Sequence, residues 1–471
     1  MSFTKKVAWN TIIQTIGKVI GIILGIATVA IMTRYLGREG FGAYTTILAF
    51  LQFFSLLFDL GLYLVLTNEI ARPEVDRQYL LNNFFTLRLV SAIFFLLAVS
   101  AAVWAFPYPL LIKEGVIVAS LSLFFISLIQ ILTSLFQQEL KMDRVAIGEI
   151  IGKVIFLALV ILAVYYQLGL LYVLVAMVLG SLANFLSVYL ASRHYLRLSL
   201  SFDIKFWLKI LQKSWPVALS SVFVLVYFKA DTLILSLFRS QAEVGIYGAV
   251  YKILEVLIAF PALFMGLVSP VLALTSAAGD WERFNRVFQK AFDFFSLISW
   301  PMVWGTIILA RPILSLIAGP DFVLGAGVLQ ILIVATGVIF FAHLPGYTIV
   351  AIGRQKEMVR NYLLAALGAL IAYLVFIPTY SYYGAAVVTL LVETFIFVMA
   401  LRIVLRQTPA RLSLAVFGKA FLSSCLMALA IYFFRGQNLF ILIIGGGAIY
   451  FSLLYLLRGI SREVVREIIS A

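Results

Sequence analysis

The most constraining feature of the chain is a long apolar stretch near its start. Residues 8–33 carry a single charge, Lys18. At a rise of about 1.5 Å per residue, a helix over this stretch is about 39 Å long, which is enough to cross a bilayer with some tilt. The stretch is too long for the apolar core of a secretory signal, and Thr33, Arg34 and Tyr35 do not form a small-residue cleavage site. It therefore predicts a transmembrane helix.

Two stripes run along this first helix. The polar stripe recurs every fourth residue, at Asn10, Gln14 and Lys18. The small-residue stripe has the same spacing and consists of Gly17, Gly21 and Gly25. Glycines at this spacing let a second helix approach closely in lipid. A cation near the middle of a membrane costs about 3 kcal/mol unless a cavity or partner receives it, so we expect Lys18 to face a protein interior. Snorkelling or pairing with a carboxylate is the alternative.

Composition extends the membrane assignment to the whole chain. Of the 471 residues, 63% are apolar and 12% are charged, against about half and about a quarter in soluble domains. The apolar spans lie at residues 7–36, 41–66, 84–106, 115–137, 149–167, 170–192, 215–238, 245–273, 291–310, 325–350, 359–378, 383–405, 415–434 and 438–457. We therefore predict an all-α polytopic membrane protein with about 14 transmembrane helices.

Basic residues are distributed unevenly between the two sides of the predicted helices. With a cytoplasmic amino terminus, 24 of the 35 Lys and Arg residues fall in inside segments and 6 in outside loops. This bias predicts a plasma-membrane or inner-membrane protein with both termini in the cytoplasm. The basic residues are spread among short loops rather than clustered on one face, so we expect no nucleic-acid partner.

The longest linker, residues 192–214, divides the first twelve helices near their middle. It is basic, and its large apolar residues include Phe202, Phe206, Trp207, Ile210 and Leu211. This mixture predicts a short amphipathic helix lying on the cytoplasmic membrane surface.

The two sides of this linker resemble each other. Residues 40–44, before helix 2, correspond to residues 243–247, before helix 8, at an offset of 203. Residues 76–79 and 280–283 then occupy equivalent loops. The even number of helices between equivalent positions predicts two six-helix lobes related by a pseudo-two-fold axis, followed by two C-terminal helices. We assign the N-terminal lobe to residues 1–200, the C-terminal lobe to 201–410 and the additional helices to 411–471.

Several kinds of chemistry lack the residues that they need. Cys425 is the one cysteine, so no intramolecular disulfide can form. His194 and His343 lie far apart in the sequence with no Cys, Asp or Glu cluster around them, so we expect no metal site. The sequence contains no P-loop motif, and we expect no cofactor. Coupling to Na+, to H+ or to the membrane potential stays open.

Two sets of motifs carry a family resemblance. Residues 34–44, RYLGREGFGAY, look like the R-x-LG-x-E-x-[FY]G-x-Y signature of polysaccharide flippases, and residues 59–62 and 69–72 continue the likeness. The second set matches a D…vG-x-Y-x-x-A pattern at Asp231, residues 244–247, Ala249 and Lys252. The chain thus resembles the polysaccharide and oligosaccharide flippases of the multidrug/oligosaccharidyl-lipid/polysaccharide (MOP) exporter superfamily. It departs from the pattern at Arg38, where proline is common, and at Asn68, where a basic residue is frequent.

The resemblance implies a function and a set of partners. Members of this family move undecaprenyl- or dolichyl-linked oligosaccharides from the cytoplasmic to the outer leaflet by alternating access. It implies a V-shaped pair of lobes around a cavity, with helices 13 and 14 forming a groove for the lipid tail. We expect a monomer whose partners are the lipid-linked oligosaccharide and membrane lipid, working beside a glycan polymerase or glycosyltransferases.

A lipid-linked glycan carries a pyrophosphate, so its carrier needs cations within the membrane. The predicted substrate-binding residues are Lys18, Lys229, Lys252, Asn10, Gln14 and Arg88. Lysine suits a site that must release its ligand, because it is a mobile point charge. For Arg88 the alternative is snorkelling to the cytoplasmic surface. Glu149 and Lys153, four residues apart, are expected to form a structural pair.

Acidic residues within the spans are the expected charge partners or ion-coupling groups. These are Asp59, Asp231, Glu255 and Glu393. Asp59 and Asp231 are the favoured partners of lysines, and Glu393 is the candidate for ion coupling. Glu255 lies three residues after Lys252 and could simply neutralise it.

Three other functions compete with the flippase hypothesis. A sodium- or proton-coupled multidrug exporter of the same superfamily is the main alternative, although a cationic cavity would repel cationic drugs. A glycan polymerase or ligase would need a sizeable outside loop, and the outside loops are short. A non-enzymatic scaffold would not need so many charges within the membrane. We therefore expect a transporter and not an enzyme.

Overall fold

A computed structural model describes residues 3–59, 61–70, 76–195 and 198–459, with the side chains of residues 3–12, 56–59, 64, 68 and 216–228 left outside the description. The described chain is all-helical, as predicted, and contains no strand. Its helices are α1 (Phe3–Asp59), α2 (Leu62–Glu69), α3 (Arg77–Ala102), α4 (Leu110–Gln138), α5 (Met142–Tyr165), α6 (Leu170–Ser192), α7 (Ile204–Phe238), α8 (Gln241–Ala277), α9 (Trp281–Ile317), α10 (Ala326–Ala351), α11 (Gln355–Gln407), α12 (Ala415–Phe433) and α13 (Leu439–Leu456). Short 3-10 turns precede α4 and α10, at Val103–Ala105 and Pro320–Gly325.

The helices account for the predicted membrane spans. Within the described residues, eleven stretches are long and apolar enough to cross a membrane. Two of these, Ile13–Ser55 and Gln355–Gln407, each cover two predicted spans. The remaining predicted span, 215–238, lies in α7. The protein is therefore a multi-pass membrane protein.

Breaks in the helices occur where the backbone leaves the right-handed helical region. Gly37, with φ of 64°, divides α1 between the first two predicted spans. Gly61, with φ of 65°, starts α2, so the predicted span 41–66 is interrupted rather than continuous. Glycine has no Cβ and adopts this conformation at little cost, which explains both motif glycines. Ser381, with φ of 53°, breaks α11 within the predicted gap around Thr379–Gly384.

Close packing of α5 on α6 relies on small residues. A Cβ on Gly152 would lie 2.7 Å from the carbonyl oxygen of Gly180, and a Cβ on Gly180 would lie 2.8 Å from that of Gly152. A Cβ on Gly148 would lie 2.7 Å from Cγ2 of Val188 and 2.9 Å from Oδ1 of Asn184, two side chains of α6. These contacts bring two backbones together, as small residues do at helix interfaces in lipid.

The linker between α6 and α7 differs from its predicted form. Residues 204–214 are helical but are the first turns of α7 rather than a separate surface helix. Their apolar face packs against protein, with Phe206, Trp207 and Ile210 in a cluster with residues of α2, α3 and α4. An amphipathic pattern shows that one face is apolar, but it does not distinguish a membrane surface from a protein groove.

Polar residues of α3 hold the extended part of this linker. Asn82 Oδ1 accepts a hydrogen bond from the amide of Ser199 at 3.1 Å. Thr86 Oγ1 accepts one from the amide of Ser201 at 2.9 Å, and Asn83 Oδ1 accepts one from the amide of Asp203 at 3.2 Å. Asp203 in turn caps α7 by accepting from the amide of Phe206. The linker therefore has fixed partners for its backbone donors.

An equivalent arrangement holds the linker between α11 and α12. Asn285 of α9 donates to the carbonyl of Pro409 at 3.3 Å. Gln289 accepts from the amide of Ser413 at 2.8 Å and donates to its carbonyl at 2.9 Å. Asn285 follows Asn82 by 203 residues, and Gln289 follows Thr86 by the same number. This is the offset of the predicted repeat. Positions 203 residues apart in α3 and α9 thus each hold a linker by hydrogen bonds.

The chain divides into two compact units, Met1–Ala249 and Val250–Ala471. In the second unit α12 and α13 pack on α9 through a cluster that includes Leu309, Met427 and Leu454. Tyr450 fixes this packing by donating a hydrogen bond to the carbonyl of Leu297 at 2.8 Å. The predicted lobe boundaries at residues 200 and 410 stay a prediction.

Candidate functional site: intramembrane charges and a glycine-lined contact

The motif segment 34–44 of α1 and residues 241–248 at the start of α8 pack directly against each other in the first unit. A Cβ on Gly42 would lie 1.7 Å from the carbonyl oxygen of Gln241, and a Cβ on Gly245 would lie 2.0 Å from that of Arg38. Thr46 adds a side-chain hydrogen bond to Gln241 at 2.7 Å. Side chains larger than hydrogen cannot fit at the two glycines, so the motif glycines allow backbone to contact backbone. We name this set the glycine contact.

Beside the glycine contact, a buried carboxylate joins α7 to α8. Asp231 and Tyr247 both have an exposed fraction of 0%. The Tyr247 hydroxyl donates to Asp231 Oδ2 at 2.6 Å, and the amide of Thr232 donates to Oδ1 at 2.6 Å. This pair links the aspartate and the tyrosine of the second-half motif. Pairing of Asp231 with a lysine stays a prediction.

Lys18 lies exposed on α1, within the first predicted span. In the part of the chain that the structure describes, no carboxylate forms an ion pair with it. Its helix packs on α5 through the glycine stripe: a Cβ on Gly17 would lie 2.8 Å from Ala146 Cβ, whereas nothing lies within 4 Å of one on Gly25. The predicted close helix partner is therefore α5, and it contacts part of the stripe.

An ion pair on α5 faces the same stripe. Lys153 Nζ lies 2.7 Å from Glu149 Oε1. A Cβ on Gly21 would lie 2.6 Å from Lys153 Nζ and 3.3 Å from Glu149 Oε1. Lys18 precedes Gly21 by three residues, and residues three apart are neighbours on a helix surface. The pair therefore places one cation and one anion next to the polar stripe of α1. The i,i+4 spacing predicts the pair itself but not its contact with α1.

The other two predicted lysines have different surroundings. Lys229 is half-buried on α7 in the first unit. Lys252, on α8 in the second unit, lies 2.8 Å from Glu255 Oε2 in an ion pair whose members are 28% and 32% exposed. Lys252 is thus neutralised within its own helix in this structure, which is the simpler of the two expectations for it.

Arg88 does not snorkel to the surface. Its exposed fraction is 5%, and its guanidinium donates to Gln130 Oε1 at 2.7 Å and to the carbonyl of Ser127 at 3.3 Å. These partners on α4 satisfy the charge within the protein, which is why the side chain need not reach the surface. In this structure Arg88 joins α3 to α4, and its role in substrate binding stays a prediction.

The remaining predicted residues are placed as follows. Gln14 is half-buried on α1. Glu393 is buried on α11 with an exposed fraction of 6%, and no described residue forms an ion pair with it. The side chains of Asn10 and Asp59 lie outside the described part of the chain. No group of three or more potential metal ligands occurs among the described residues.

Comparison with known proteins places these features in a family. The family model described as "Polysaccharide biosynthesis protein" matches residues 5–276, more than half of the chain. The chain belongs to this family. A second family model, MatE, matches residues 216–374.

Two relatives of the chain are named as transporters. The succinoglycan biosynthesis transport protein ExoT of Rhizobium meliloti (strain 1021) is 22% identical over 73% of this chain and 69% of its own. A putative O-antigen transporter of Shigella dysenteriae is 23% identical over 75% of this chain and 88% of its own.

Two solved structures share the fold of this chain. The lipid II flippase MurJ in an inward closed conformation superposes with a TM-score of 0.76 at 18% identity, covering 97% of this chain and 99% of that one. An inward-facing multidrug resistance transporter of the MATE family, itself of the MOP superfamily, superposes with a TM-score of 0.66 at 15% identity, covering 87% and 95%. The predicted MOP fold is confirmed.

Proposed function

We propose that this protein is a flippase that carries a polyprenyl-(pyro)phosphate-linked oligosaccharide from the cytoplasmic to the outer leaflet. The observation that carries the proposal is Lys18, a cation on a membrane helix that has no carboxylate partner among the described residues. A phosphate group of a passing lipid-linked glycan would supply the missing counter-charge. The transporters of succinoglycan and O-antigen among the relatives support this substrate class.

The charges next to Lys18 suit a ligand that must leave again. The Glu149–Lys153 pair lies against Gly21, one turn along α1. When phosphate is absent, Glu149 holds Lys153; when it is present, Lys153 can exchange this carboxylate for the phosphate. Such an exchange keeps Lys153 paired in both states, which limits the cost of this cation within a membrane.

Alternating access requires one end of the cavity to be closed while the other is open. The distribution of basic residues predicts that the glycine contact lies on the outer side. We propose that it is the outer closure and that Gly42 separates from Gln241 when the cavity opens outward. Glu393 is our candidate for coupling to Na+ or H+, because it is a buried acid without a described ion-pair partner.

The test is transport of a labelled polyprenyl-pyrophosphate oligosaccharide in proteoliposomes. Removal of a charge-assisted contact costs about 2 kcal/mol, so Lys18→Ala should slow flipping about 30-fold. Lys18→Arg keeps the charge and should restore most of the rate. Lys113→Ala is the matched control, because Lys113 lies over the ring of Trp104 at the start of α4. A folded Lys18→Ala protein that flips at the wild-type rate would contradict the proposal.

A further inference from the structure

A basic cavity opens between the two ends of α11 in the second unit. Its volume is about 530 Å³. Its charged lining residues are Lys356, Glu357, Arg360, Arg402 and Arg406. We name it the α11 basic cavity. It has no part in the proposed glycan path described above, and the distribution of basic residues places it on the cytoplasmic side.

Glu357, the acidic residue of the lining, already has partners. Glu357 Oε1 lies 3.3 Å from the guanidinium of Arg354, and the side-chain amide of Gln407 donates to the same oxygen at 3.2 Å. In the described chain, the other four charged lining residues make no ion pair with a carboxylate. The cavity therefore presents an excess of positive charge.

The spacing of these cations is unfavourable without an anion. Lys356 and Arg360 are four residues apart on the first part of α11, and Arg402 and Arg406 are four apart on the second. Like charges at this spacing repel each other across a helix face. An anion between the two helical parts removes this repulsion, and the planar guanidinium groups match the oxygens of a phosphate.

Exposed apolar side chains occur on the same two parts of α11 that line the cavity. Val359 and Leu405, each adjacent in sequence to a lining arginine, are 38% and 43% exposed. Exposed apolar side chains on a membrane helix contact acyl chains, so a phosphate bound here would lie where a lipid places its headgroup.

We propose that the α11 basic cavity binds a phosphate-bearing anion at the cytoplasmic membrane surface. The two sources of such a group are the headgroup of an acidic phospholipid and a soluble phosphate compound. The neighbouring Val359 and Leu405 favour the lipid. Occupancy would hold the two parts of α11 together on either side of the break at Ser381.

The experiment uses the full-length protein in detergent and two kinds of probe. Native mass spectrometry measures binding of phosphatidylglycerol, cardiolipin and phosphatidylcholine, and calorimetry measures binding of inorganic pyrophosphate. The test variant is Arg360→Gln with Arg402→Gln. The matched control is Lys290→Gln with Arg411→Gln, which removes two exposed cations of the same unit from outside the cavity.

We expect the wild type to bind the two acidic lipids in preference to phosphatidylcholine. Each basic group near an anionic lipid is worth about fivefold in affinity, so the test variant should bind about 25-fold more weakly and the control should be unchanged. Arg402→Gln alone, about fivefold weaker, serves if the double variant does not fold. Pyrophosphate binding with the same dependence on Arg360 and Arg402 would support a soluble source. Equal binding of these probes by wild type and variants would overturn the proposal. It would also be overturned if the wild type neither preferred the acidic lipids to phosphatidylcholine nor bound pyrophosphate.

Discussion

The two ends of the helices in the first unit are held together in opposite ways. At the predicted outer end, Gly42 and Gly245 bring backbone onto the backbone of Gln241 and Arg38. At the predicted cytoplasmic end, side chains of α3 hold the linker through hydrogen bonds. The first contact depends on the absence of side chains, and the second depends on their presence.

This difference indicates how each end responds to change. The two backbones at the outer end are so close that one added carbon has no space between them. Such a contact is lost altogether when the backbones separate. Hydrogen bonds from side chains can be lost one at a time, at about 1 kcal/mol each, while the remaining bonds persist. We therefore expect the outer end to open as a unit and the cytoplasmic end to loosen in steps.

The largest effect is expected from Gly245→Ala. Its Cβ would lie 2.0 Å from the Arg38 carbonyl oxygen, and overpacking of this kind costs about 2 kcal/mol. The closed outer end should then be about 30-fold less favoured. Labelling of Thr46→Cys by an impermeant maleimide, with Cys425 replaced by serine, measures the opening, because Thr46 has an exposed fraction of 0%.

The control for this variant is Gly25→Ala, since no atom lies within 4 Å of the added Cβ. Labelling of Thr46→Cys should be the same in Gly25→Ala and in the parent protein. Equal labelling in Gly245→Ala and Gly25→Ala would show that the glycine contact does not close the outer end.

A smaller, graded effect is expected at the cytoplasmic end. Replacement of Asn82 or Thr86 by alanine removes one acceptor from the linker amides of Ser199 or Ser201. Each loss should raise the hydrogen–deuterium exchange rate of its own amide about fivefold. The double variant should show both increases independently. Exchange that rises throughout the linker in either single variant would mean that this end also opens as a unit.

The smallest effect is a pH dependence at Asp203, in the linker. The hydrogen bond from Tyr79 holds the pKa of the Asp203 carboxyl below its usual range. A lowered pKa in the folded state means that the stabilisation is present above the usual pKa and is lost as the pH falls through the folded-state value. Wild type should therefore melt at a higher temperature than Asp203→Asn at neutral pH, and the gap should close below about pH 4. A gap that persists there would exclude the carboxylate as its source.

Much of this fold can be predicted from the sequence because local signals define it. Hydropathy locates the spans, and Gly37 lies directly after the end of the first of them. The break at Gly61 falls inside the predicted span 41–66, because hydropathy contains no information on backbone conformation. The offset of 203 residues relates two positions that each contact a linker: Asn82 accepts from the amide of Ser199, and Asn285 donates to the carbonyl of Pro409.

The charge partners could not be predicted in the same way. Arg88 is satisfied by Gln130, which lies 42 residues further on and belongs to another helix. The ion pair on α5 looks like a local feature until α1 packs against it at Gly21. Such contacts depend on which helices meet and at what height, and neither hydropathy nor spacing contains this information.

The most direct test compares two cargoes in the same sealed proteoliposomes. Wild-type protein receives a labelled polyprenyl-pyrophosphate oligosaccharide in one arm and a fluorescent organic cation with a sodium or proton gradient in the other. We predict that the glycolipid crosses the bilayer and that the cation does not accumulate, because the charge around Lys18 is positive. Transport of the cation without movement of the glycolipid would contradict the flippase account and support a drug exporter.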